Sequence, residues 1–123
     1  MKTSSCKQKG RRLCATVREL MLKDVPELQG DDIIVTPSGV TGEDLRLSPL
    51  ARTIFPIAIE CKNQEKLNIW AALEQSETHA KEKQIPVLFF SRNRDKLYVS
   101  LSGEKFIELL KYVHELEKNQ VAE

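Results

Sequence analysis

The chain contains no apolar run approaching the ~20 residues that a membrane-spanning helix needs. Its 123 residues hold no internal repeat and no linker. One domain with one core is therefore expected. Cysteine is scarce, with Cys6, Cys14 and Cys61 the only three. An odd count at irregular spacing suits reduced thiols better than a disulfide framework. The lack of any CxxC pair argues against a structural zinc site. The amino-terminal stretch has charges but no apolar signal core, so a cytoplasmic protein is expected. Net charge is also nearly absent, at +1.

What charge there is lies unevenly. Residues 1–23 carry Lys2, Lys7, Lys9, Arg11, Arg12, Arg18 and Lys23 against Glu19 alone. A basic front end of this kind suits a phosphate backbone, and it is equally common on solvated helices. With 41% hydrophobic and 30% charged residues, the composition is that of a globular protein.

Hydrophobic spacing gives the elements. Residues 1–9 are polar and read as a flexible N-terminus, residues 10–118 as the domain, and 119–123 as a frayed tail. After Gly10, the positions Leu13, Val17, Leu20 and Met21 form one face of a helix, with Cys14 at its border as a packing residue. Short strands are predicted over 33–36, 43–47 and 54–62. A helix over 67–83 follows, with Leu67, Trp70, Ala71 and Leu73 as its buried stripe. Strands over 85–90 and 96–101 come next. The last helix carries Phe106, Leu109, Leu110 and Val113 at helical spacing. The order αβββαββα, with a helix long enough for a parallel crossover, predicts an α/β fold. Its centre is expected to be a mixed five-stranded sheet flanked by helices.

The informative stretch is Ile57-Ala58-Ile59-Glu60-Cys61-Lys62-Asn63. Side chains alternate along a strand, so Glu60 and Lys62 share a face while Cys61 points into packing. Upstream, Asp44 follows a loop whose Gly39 and Gly42 let backbone approach something closely. Two carboxylates on adjacent strands suit Mg²⁺ or Mn²⁺, with the backbone carbonyl of Cys61 as a third oxygen. Lys62 at the same edge would orient water or stabilise charge developing on phosphorus. The competing reading is a salt bridge among Asp44, Lys62 and Arg46 on a solvated face. His79 and His114 are the only histidines. Both read first as helix-surface residues, and His79 is the better site candidate.

Gly42-Glu43-Asp44 followed by an apolar strand ending Glu60-Cys61-Lys62 resembles the core of the PD-(D/E)XK nucleases. The wider pattern adds Lys9-Gly10-Arg11-Arg12, Leu47-Ser48, Ala51-Arg52, Phe55-Pro56 and Asn63-Gln64-Glu65. It is similar to small phage-type members of that superfamily, akin in size to Holliday junction resolvases. Glu43 stands where the family often has proline. The resemblance implies a restriction-endonuclease-like core, with Asp44 and Glu60 as metal ligands and Lys62 as catalytic lysine. It also brings in Glu19 as a helix acid, Ser38 as a loop serine and Gln75 as a glutamine on the post-motif helix. The plainer alternatives for these three are a helix-face ion pair, a turn serine and a surface glutamine.

Candidate nucleic-acid contacts are Lys9, Arg11, Arg12, Arg52, Asn63, Arg92 and Arg94. The expected activity is metal-dependent hydrolysis of DNA, with junction or branched DNA as the leading substrate, leaving a 3′-hydroxyl and a 5′-phosphate as the family does. A homodimer is expected, in the host cytoplasm if phage-encoded, with no membrane and no organic cofactor. The alternatives are an inactive nuclease-fold protein that binds nucleic acid in assembly or recombination, and an interaction domain with a basic arm.

Overall fold

The computed structural model describes residues 2–37, 39–81 and 83–122. Helix α1 (Lys2–Asp24) begins well before the expected start. No proline interrupts residues 2–9, and the helix runs straight through Gly10, so the segment expected to be a flexible end forms its first turns. The buried face of α1 is Leu13, Cys14, Val17 and Met21, while Leu20 is exposed. Cys14 therefore takes the place in the stripe that spacing gave to Leu20.

A 3₁₀ turn (Gly30–Asp32) leads into β1 (Ile33–Val35), which pairs antiparallel with β2 (Leu45–Leu47). In this hairpin Ile33 faces Leu47 and Val35 faces Leu45 on the core side, while Ile34 and Arg46 point to solvent. Ser48 caps the short helix α2 (Pro49–Ile54), accepting from the Ala51 N–H at 3.1 Å and donating to Asp32 Oδ1 at 2.7 Å. Strand β3 (Ile57–Asn63) runs parallel to β4 (Ile85–Ser91), and β5 (Tyr98–Ser100) closes the far edge antiparallel. Helix α3 (Ile69–His79) makes the crossover between the parallel strands, and α4 (Gly103–Ala122) ends the chain. The tail expected to fray continues α4 as far as Ala122.

Among the described residues the molecule is an α/β fold whose five strands form a two-stranded and a three-stranded sheet. They do not run as one ladder. Between β2 and β3 the Asp44 N–H donates to the Ile59 carbonyl at 2.9 Å. The pairing stops there because the Asp44 side chain, not the next backbone group, takes the following N–H of β3.

Val17, Ile33, Leu45 and Ile59 are fully buried where α1 packs on β1 and β3, and Leu88 of β4 is fully buried outside that cluster. Each such side chain contributes ~1.5–3 kcal/mol relative to exposure. The face that α3 buries is Ala72 and Ser76, one position off the predicted stripe. Trp70, expected in the core, is 79% exposed. Small residues at 72 and 76 let the helix lie close to β3 and β4, and that rotation sends the indole outward.

Candidate functional site

Parallel pairing aligns Asn63 with Ser91, so β3 and β4 end together. Ligands of open α/β sheets gather outside such carboxyl ends. A cavity of about 390 Å³ lies beside this end of β3. Helix α1 contributes Gly10, Arg11 and Cys14 to its wall; the loop before β2 contributes Thr36, Pro37, Gly39, Val40, Gly42 and Asp44. Strand β3 supplies Glu60 through Gln64, and α3 supplies Gln75 and His79. Gly39 and Gly42 have φ of 84° and 113°, which lets this loop turn at the rim without a Cβ penalty.

Asp44 and Glu60 are brought together here. Both line the cavity, and Asp44 is near enough for its charge to act on Glu60. Its Oδ2 accepts the Cys61 N–H at 2.7 Å, which fixes the side chain and leaves Oδ1 for another partner. Glu60 is 3% exposed, and its Oε1 meets His79 Nδ1 at 2.6 Å. Burial and the neighbouring Asp44 charge push the Glu60 carboxyl up from 4.5 to about 7, with the His79 contact opposing them. The backbone C=O of Cys61 leaves the strand on the same edge as its N–H, the edge that faces Asp44. A Cβ on Gly10 would stand 3.6 Å from that oxygen, so α1 passes close to it.

Lys62 lies on the cavity wall, half-buried. Among the described residues neither Lys62 nor Arg46 forms an ion pair with Asp44, so the simple surface salt bridge is not made. Gln75 stands one turn before His79 on the same wall. Glu19 does not join the group: its carboxylate is 71% exposed and pairs with Arg18 at 2.9 Å. Arg18 is turned that way because it also bonds the carbonyls of Ile33 and Gly30. Ser38 lies outside the described residues.

Of the expected phosphate contacts, Arg11 and Asn63 line the cavity, and Lys9, two residues before Arg11 on α1, is half-buried. Arg12 faces solvent. Arg52 is committed to structure: it donates to the Leu47 carbonyl at 3.1 Å and stands 3.7 Å from buried Glu43. Arg92 is held by Asp95 at 2.6 Å. The turn it shares with Arg94 borders a neighbouring hollow, where the Asn93 N–H donates to Glu65 at 3.0 Å.

Two features escaped sequence reasoning. The His79–Glu60 contact links residues on separate elements, and the only signal for it was the position of His79 beside the strand carrying Glu60. The second is a pair of unbridged, buried thiols, Cys14 and Cys61, with Asp44 beside them. One ligand atom from each of the three lies within 4.8 Å of the others, a group that could hold a metal ion. Contact with Cys14, and then burial, raise the Cys61 thiol far above its ordinary range. No spacing motif announces a pair 47 positions apart in the chain.

No helix among the described residues is long and apolar enough to cross a membrane. No family model, curated protein or solved structure matches the chain.

Proposed function

We propose that this protein is a divalent-metal-dependent endodeoxyribonuclease built on a restriction-endonuclease-like core, acting on branched or junction DNA. The observation that carries the reading is the meeting of Asp44 and Glu60, remote in sequence, on one cavity wall with Lys62. The donor chemistry fits a hard cation: Asp44 Oδ1 and the second Glu60 oxygen are left over by their hydrogen bonds, and with the Cys61 carbonyl they make an all-oxygen set. A cation held there supplies Lewis-acid polarisation of a phosphoryl oxygen and activation of water.

The chain's own groups do the rest. The Cys61 N–H holds the Asp44 carboxylate at a fixed angle, and His79 does the same for Glu60. Lys62, on the same wall, would supply an ammonium to stabilise charge growing on the phosphate oxygens. Gln75, on the same wall, would orient a nucleophile. Arg11, on the cavity wall, would offer positive charge to the flanking backbone phosphates.

The reading includes a homodimer, because cutting both strands needs two sites. Supporting it, α4 leaves Phe106, Ile107, Leu110, Val113 and Leu116 exposed, and the edge strand β5 leaves Tyr98 and Val99 exposed. A contiguous apolar face of this kind marks an interaction surface.

The test is to incubate linear, nicked, single-stranded and four-way DNA with the protein and Mg²⁺ or Mn²⁺. Cleavage that is lost in Lys62→Ala supports the reading. Salt-sensitive binding without cleavage in either protein would leave a nucleic-acid-binding module instead.

A further inference from the structure

We infer that Cys14, Cys61 and Asp44 form a binding site for a thiophilic divalent cation of the Zn²⁺ class. The geometry is close to what such an ion requires. Its thiolate bonds of about 2.3 Å in a tetrahedral shell place two sulfurs about 3.8 Å apart. The two Sγ atoms and a carboxylate oxygen here are already within 4.8 Å of one another. Closing the shell therefore needs each pair of ligand atoms to approach by no more than about 1.3 Å.

The three ligands come from α1, from the loop before β2 and from β3, so the packed core holds their backbones in place. Asp44 is oriented by the Cys61 N–H at 2.7 Å, and this leaves Oδ1 to bind. Such a second partner is what fixes a metal-binding carboxylate. All three residues line the same open cavity, which gives an ion a route in and leaves room for water as fourth ligand. Three protein ligands plus one exchangeable position is the pattern of an open zinc site.

Ligand chemistry decides the ion. Two thiolates select a soft or borderline cation and give Mg²⁺ nothing it prefers. On binding, each thiol releases its proton to the buffer and its sulfur takes the cation. Asp44 belongs to both ligand sets. If the hard-cation reading given above holds, on which this clause rests, one ion excludes the other, and Zn²⁺ acts as an inhibitor of cleavage.

The experiment uses Co²⁺, which reports sulfur ligation by colour. The full-length protein, kept reduced and with its three thiols verified by titration, is titrated with Co²⁺ in the absence of DNA. A thiolate-to-cobalt charge-transfer band should rise to one equivalent and be bleached by one equivalent of Zn²⁺. Cys14→Ser and Cys61→Ser should each weaken binding by more than about tenfold, and Cys6→Ser should leave it unchanged. Asp44→Asn, which keeps both thiols and the acceptor for the Cys61 N–H, should retain the band with weaker affinity. No charge-transfer band in the wild-type protein overturns the inference, however the variants fold. An undiminished band in both serine variants overturns it equally. Zinc inhibition is read separately, by adding Zn²⁺ to the Mg²⁺-dependent cleavage assay. A cobalt band without cleavage upholds this site and removes the nuclease reading; cleavage without a band does the reverse.

Discussion

The carboxylate of Asp44 accepts the backbone N–H of Cys61 at 2.7 Å, while its own N–H donates to Ile59 two residues earlier on the same strand. A side chain thus continues the hydrogen bonding that a neighbouring strand would have supplied, and the same carboxylate faces Glu60. Structure and chemistry at Asp44 should therefore separate. Asn keeps an acceptor for the Cys61 N–H, so Asp44→Asn is expected within about 1 kcal/mol of the parent in urea unfolding without metal. Asp44→Ala should lose about 1.5–3 kcal/mol, since a hydrogen bond to a charged group is removed. Both should abolish metal-dependent cleavage. Equal loss of stability in the two variants would show that the N–H contact is not what Asp44 contributes.

His79 is expected to act through Glu60. His79→Ala removes the 2.6 Å partner of a buried carboxyl and should cost about 1–3 kcal/mol of stability. Cleavage should fall about 10–100-fold, with the Mg²⁺ requirement shifted upward. Asn places an N–H near the position of Nδ1, so His79→Asn should recover part of both losses. Cleavage unaltered in His79→Ala, measured across Mg²⁺ concentrations, would remove His79 from the site.

The raised Glu60 value fixes a pH dependence. Between 4.5 and about 7 the folded chain keeps a proton on Glu60 that the unfolded chain has released. Metal-free stability should accordingly fall as pH rises through that window, by roughly 3 kcal/mol, and flatten above it. Metal binding needs the ionised carboxylate, so apparent Mg²⁺ affinity should climb over the same window. Urea midpoints with and without Mg²⁺ between pH ~5 and ~8 read both slopes. Glu60→Gln should abolish the metal-free slope; its persistence there would assign the proton to another group.

How much of this was legible in the chain differs from residue to residue. Strand alternation placed Glu60 and Lys62 on one face, and both line the cavity. Trp70 was misplaced because periodicity finds a helix without saying which stripe is inward. Here the volumes of Ala72 and Ser76 set the answer, a matter of fit against β3 and β4. The split of the sheet was invisible because a side-chain acceptor at Asp44 replaced a backbone one. The thiol pair and the His79–Glu60 contact are tertiary in origin, since each joins residues from separate elements.

The exposed face of α4 gives an assembly prediction. A lone helix of 20 residues is marginal in water without packing, and this one shows solvent a row of large apolar side chains. Sedimentation should find a dimer for the wild-type chain and a monomer for Leu110→Glu, with thermal unfolding of the core little changed. A monomer in both would discard the homodimer and leave that face to a different partner.

The central claim is that Asp44 and Glu60 grip one divalent cation. Mn²⁺ binding followed by electron paramagnetic resonance, at a pH above the Glu60 value of about 7 and without DNA, tests it most directly. Bound Mn²⁺ is expected in the wild-type protein and in Lys62→Ala, and should be lost in both Asp44→Asn and Glu60→Gln. Undiminished binding in those two carboxamide variants, or none in the wild-type protein, would contradict the account.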